Sequence, residues 1–224
     1  ELDKTEGMRN ILQTSELTDT ITKIKVKLMQ VKDIRGTANR VTESQILDDI
    51  ELFELKAFSL LAMEIRELLL SANITVVSLP DLEPVVNILD PEKMRIPHFY
   101  VYDAYSPELA ALRAKMKTLK MDEKTEERVL DQLQFEHTEL EDRIREKLSE
   151  QIHPYKKEIN EALVNTATLD ILLAKAQQTI DMQLCKPEIS TSTTRYIKIF
   201  NPQVKEVLWQ EGKKFQAIDI DIEQ

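Results

Sequence analysis

The chain has 224 residues and a net charge of −10, from 30 basic and 40 acidic side chains. A module that grips nucleic acid over its whole surface presents a basic face, so this chain as a whole is repelled by a phosphate backbone and any such contact is local. One cysteine, Cys185, excludes an internal disulfide framework and points to a reducing, cytoplasmic compartment, and no apolar run reaches the roughly 18 residues that cross a bilayer, so no membrane partner is expected.

Only 3 Gly and 8 Pro accompany 31% charged residues, which predicts a mostly α fold. The expected architecture is a helical core with a long antiparallel lever hairpin, plus a few short strands at the C-terminal end. The chain starts at Glu1, and its last residues alternate as Ile218-Asp219-Ile220-Asp221-Ile222 before Gln224. It is therefore read as a piece of a longer protein.

Residues 1–43 read as helical and polar. Leu17, Ile21, Ile24, Leu28, Val31 and Ile34 form a stripe at helical spacing, and Gly36-Thr37 is the expected end. Lys23, Lys25, Lys27, Lys32 and Arg35, with Arg40, make a local basic concentration. These five are the candidate DNA-contacting residues; the competing reading is a solvated helix face, which the overall acidity favours.

Residues 44–70 form the second strong helix, with Ser44 as its cap and Asp48 and Asp49 in its first turns. Its stripe is Ile46, Ile50, Phe53, Ala57, Leu61, Ile65 and Leu68, widened by Leu47, Phe58, Leu60 and Leu69. A face that wide packs on more than one neighbour. Residues 71–106 are rich in proline. Pro84 opens a short helix, and His98-Phe99-Tyr100-Val101-Tyr102 reads as a strand. Ser106 then caps a helix that has Pro107 at its first position and runs to about residue 119.

After a turn at 120–124 comes the strongest signal, over 123–180. Leu133, His137, Leu140, Ile144, Leu148, Ile152, Tyr155, Ile159 and Leu163 fall on one helical face. Pro154 is its one flaw, predicting a kink or a break into two collinear helices. His137 reads as a packing histidine and His153 as an exposed one. Beyond residue 180, residues 194–200 and 215–222 alternate like strands, with a helical turn or two between them. The domains expected are a helical core over 1–105, lever helices over 106–183, and the start of a truncated α/β unit over 184–224.

Chemistry-bearing motifs are absent from the sequence: there is no Walker loop, no GxGxxG, no CxxC and no HExxH. The chain by itself is not expected to be an enzyme, nor to carry a catalytic or metal-binding residue.

Tyr105-Ser106-Pro107-Glu108-Leu109, with Leu112 and Arg113, resembles the "D-x-x-S-P-E-L-x-x-L-R" strand-to-helix segment of MutS-family proteins. Leu169-Asp170-Ile171-Leu172 is similar to the family's "L-D-V-L" at the end of its lever helix, and Lys186-Pro187-Glu188-Ile189 to the "R-P-E-I" that follows. Asn201-Pro202 stands where the family has Arg-His-Pro. Phe215 to Ile222 resembles the "F-V-P-N-D-I-x-L" strand before the phosphate loop. The fragments keep the family's order over residues 99–224; residues 1–98 match only loosely. The resemblance implies the core and lever of a DNA mismatch repair ATPase, coupling double-stranded DNA to ATP binding and hydrolysis in a homodimeric full-length protein. ATP and Mg would then be its cofactors, and Phe215 the ring that stacks on adenine. The short turn at 120–124 stands where larger members insert a DNA-gripping clamp. The alternative is a helical scaffold or dimerisation module with no nucleic-acid role.

Overall fold

The computed structural model describes residues 1–121, 127–189 and 193–223. It is mostly α. Helices α1 (Leu2–Leu12) and α2 (Thr18–Leu28) are joined by a 3-10 turn at Ser15–Leu17. The expected stripe divides: Ile21 and Ile24 on α2 are buried with Leu17 and Leu28 packed beside them, while Ile34, beyond the helix, is buried in a different apolar cluster with Val31 packed against it. Gly36 and Thr37 do not end that element. They lie inside a separate helix, α3 (Arg35–Thr42), on which Thr37, Ala38 and Val41 are buried.

Helix α4 (Asp49–Ser71) begins four residues later than a Ser44 cap would place it. Ser44 has φ 58, a left-handed backbone that a cap residue does not use. Asp48 is the cap instead: Asp48 Oδ1 accepts from the Ile50 and Glu51 amides, and Glu51 accepts from the Asp48 amide. That reciprocal box satisfies the free N–H groups of the first turn. The buried face of α4 is only partly the expected one. Phe58, Leu60, Ile65 and Leu69 are buried as expected, with Leu47 just before the helix, but Leu52, Leu55, Lys56, Ser59, Ala62 and Met63 are buried as well, whereas Ile46 and Ile50 are exposed.

Helix α5 (Glu83–Leu89) starts at Pro84 as expected. Residues 98–102 are extended but pair with no other strand; Phe99 and Val101 are buried while Tyr100 points outward. After a 3-10 turn at Asp103–Tyr105, α6 (Pro107–Lys120) opens with the Ser106 hydroxyl accepting from the Leu109 amide. Helix α7 (Glu127–Ile152) returns antiparallel. Arg113 meets His137 and Glu141, and Met116 packs with Leu133, so the partner number falls as the α6 number rises. Most of the turn expected at 120–124 lies outside the described residues.

At Pro154 the long helix breaks into a 3-10 turn, His153–Tyr155, and resumes as α8 (Lys156–Asp181). A proline at the start of a turn loses no hydrogen bond it would otherwise make. Of the nine stripe residues, Leu133, Ile144, Leu148, Ile152 and Ile159 are buried, and the other four are partly so. Burying one such side chain fully contributes about 1.5–3 kcal/mol. His153 is not a free surface residue: its Nδ1 lies 2.8 Å from the Val41 carbonyl, docking the turn on the end of α3.

Two apolar clusters form. One gathers α3, α5 and residues 99–102 around the first half of α4, the end of α7 and the first turns of α8. The other gathers α1, α2 and residues 74–79 around the end of α4 and the second half of α8. Helices α4 and α8 run through both.

The C-terminal strands are β1 (Thr193–Ile199) and β2 (Ile218–Glu223), with α9 (Pro202–Gln210) between them. They pair antiparallel, with Tyr196 opposite Ile220 and an irregularity before Ile199. The second strand begins three residues after Phe215, which lies outside it. There Lys198 takes φ 54, and its amide donates to Asp219 Oδ1. Tyr196, Ile218, Ile220, Ile222, Val207 and Trp209 all remain exposed. No helix among the described residues is long and apolar enough to cross a membrane.

Candidate functional site

Of the five candidate basic residues, Lys23, Lys25 and Lys27 lie on α2, Lys32 on the connection that follows, and Arg35 opens α3. The structure scatters them. Lys23 is exposed, with no carboxylate within ion-pair distance among the described residues. Lys25 turns toward α8 and donates to Gln177 Oε1 at 3.4 Å. Lys27 turns toward α4 and pairs with Glu64. Arg35 forks onto Asp33, with contacts of 2.9 and 2.6 Å. Side-chain and backbone hydrogen bonds from Arg35 pull the Asp33 carboxyl down to about 2. Among the described residues Lys27 and Arg35 are paired with carboxylates, whereas Lys23, Lys25 and Lys32 have none within ion-pair distance, so two of the five are neutralised locally and the stripe that would track a phosphate backbone is interrupted.

Lys32 stands between two grooves. The first, near 340 Å³, has Phe53, Ala57, Leu61 and Pro97 among its walls, with Lys27 and Arg95 at its rim. The second, near 580 Å³, runs between the α2–α3 connection and α8, past Val31, Leu163, Val164 and Asp170. Apolar floors with a few polar rim groups are the usual form of ligand sites. The first groove exists because α4 is apolar on two sides and only one is covered.

Sequence reasoning missed the most enclosed polar group in the molecule. Lys56 is fully buried; its Nζ donates to Asp90 Oδ1 at 3.0 Å, to the His98 carbonyl at 2.8 Å and to Tyr102 Oη at 3.0 Å. All three ammonium protons are thereby satisfied. Burial raises the Asp90 carboxyl, but hydrogen bonds from the Arg95 amide and Lys56 and the charge of Lys56 outweigh it, leaving Asp90 below its ordinary value. Burial also raises the phenol of Tyr105, whose Oη donates to the Ile88 carbonyl at 2.9 Å. This network fastens residues 90–105 to α4. A lysine inside an apolar pattern, with an aspartate and a tyrosine downstream, is the only signal that pointed to it.

Phe215 is partly buried, with no ring–ring contact among the described residues. The neighbouring groove, lined by Phe200, Lys205 and Trp209 against the end of α8, does not include it. Among the described residues no group of three or more His, Cys, Asp or Glu side chains is placed to hold a metal. Compared with protein-family models and with curated proteins, the chain matches none.

Proposed function

We propose that this chain is the core and lever of a MutS-like, DNA-associated ATPase. In the full-length protein, a homodimer on this reading, it couples double-stranded DNA at one end to ATP and Mg at the other. The observation that supports this is the run α6–α7–α8. A hairpin arm leads into two 26-residue helices joined by one 3-10 turn. Each spans about 39 Å at 1.5 Å per residue, and the β1–α9–β2 unit follows directly. A two-stranded sheet is marginal alone; the exposed Tyr196, Ile218, Ile220 and Ile222 fit a sheet packed against the rest of an α/β head. The chain has no glycine-rich phosphate loop, so Phe215 would supply a stacking face and no phosphate contact.

A phosphate loop, G-x-x-x-x-G-K-S/T, within about ten residues after Gln224 in the gene supports the reading; an unrelated continuation overturns it. In the full-length protein, inserting two glycines after Tyr155 is expected to preserve basal ATP hydrolysis and abolish its stimulation by duplex DNA. Stimulation that survives the insertion rules out a lever. The net charge of −10 favours the second reading, a scaffold or dimerisation module. That reading expects no phosphate loop and no response to DNA.

A further inference from the structure

The α6–α7 hairpin has a core of its own. Leu112, Met116 and Leu133 form a cluster separate from the two large ones, with Leu119 and Leu140 packed against it. Leu140 also touches the first large cluster, and Leu109 and Ile144 belong to that cluster outright. Residues 112–121 and 127–139 therefore make an arm that meets the body near Leu140.

Beside that joint sits Glu141, which bridges two arginines. Its Oε1 accepts from Arg113 of α6 at 2.8 Å, and its Oε2 from Arg145 at 3.3 Å. Arg145 in turn forks onto Asp49, the first residue of α4, at 2.8 and 3.0 Å. Arg113 also donates to Asp103 and, at 3.1 Å, to His137 Nε2. The chain of contacts α6–Glu141–Arg145–α4 is one polar connection between arm and body, beside the direct pair of Arg113 with the half-exposed Asp103. The Glu141, Arg145 and Arg113 side chains are 19%, 16% and 25% exposed, shielded enough for charge-assisted bonds to count.

We propose that Glu141 is the clip of a hinged arm: residues 112–121 and 127–139 open as one unit when it is released, while α4 and α8 stay folded. Two features make the arm separable. Its three-residue core buries little apolar area, the condition for low-energy local opening. Its outer surface already bears exposed Met121, Val129 and Phe135, so opening removes few contacts there. The inference rests on packing alone and does not use the lever reading.

Native-state hydrogen exchange on the whole chain tests it. In the unmodified protein, the described amides of 112–121 and 127–139 are expected to share one opening equilibrium, distinct from that of α4. Glu141→Gln, which keeps the shape and removes the charge, is expected to speed exchange throughout the arm about tenfold and leave α1, α4 and α8 unchanged. Arg143→Ala, which removes only an exposed pair with Glu139, is expected to change nothing. Arm amides that exchange only with global unfolding in the unmodified protein overturn the proposal. So does a Glu141→Gln variant with unaltered arm exchange, or with exchange raised equally everywhere. If that variant does not fold, the unmodified protein alone decides.

Discussion

Lys56 Nζ lies 3.0 Å from Asp90 Oδ1, and neither side chain reaches solvent. Breaking such a pair leaves one charge buried without its partner, which typically costs about 3–5 kcal/mol. Lys56→Met is therefore expected to lower unfolding stability by that order. The double variant Lys56→Met with Asp90→Asn is expected to cost less than the two single changes summed, because neither charge is then stranded. Denaturant titration of the four proteins measures the coupling; simple additivity would mean that the pair does not interact.

The lowered pKa of Asp90 gives stability a pH limb. Its unfolded value is about 3.9 and its folded value is lower. The stabilisation is thus complete above the unfolded value and is lost as pH falls through the folded one. The stability gap between the unmodified protein and Asp90→Asn is expected to be constant near neutrality and to shrink below about pH 4. Urea midpoints across that range check the sign. A gap that widens in acid contradicts it.

The 224-residue chain alone is expected neither to hydrolyse ATP nor to bind duplex DNA at submicromolar concentration in about 150 mM salt. Fluorescence anisotropy with a labelled duplex and a phosphate-release assay check both. Tight binding would direct mutagenesis to Lys23, Lys25 and Lys32, the candidate cations that no carboxylate pairs with among the described residues.

In the full-length protein, Phe215→Ala is expected to weaken ATP affinity by about 1–3 kcal/mol, the loss of one aromatic–base stack. Calorimetry reads the affinity and a thermal melt reads the fold. Unchanged affinity with a lowered melting temperature would make Phe215 a packing residue.

Much of the helical layout was legible because periodicity survives tertiary context. The stripe through Leu133, Ile144, Leu148, Ile152 and Ile159 faces the core, and Pro154 breaks the helix where its missing N–H demands. The phase of α4 was legible only in part: Phe58, Leu60, Ile65 and Leu69 face inward as read, but Ile46 and Ile50 do not. A lysine ordinarily marks a solvated face, and nothing local sets Lys56 apart. The partner that makes Lys56 a core residue is 34 positions away. Residues 98–102 misled in a related way: Phe99 and Val101 are buried as in a strand, but so is Tyr102, and the His98 carbonyl accepts from Lys56 and Tyr102 rather than from a ladder. The basic concentration near α2 was visible, yet its dispersal depended on Glu64 and Gln177, which the local sequence does not contain.

Helices α4 and α8 each thread both apolar clusters, and this ties the two clusters into one cooperative transition. Leu52 and Leu69 sit at opposite ends of a single 23-residue helix; Ile159 and Leu173 share another in the same way. Melting one cluster would fray the helices that the other needs, so the body is expected to unfold as a single block. Native-state hydrogen exchange checks this: Leu173→Ala is expected to speed exchange at Leu52 as much as around Leu173, and a change confined to the second cluster contradicts it.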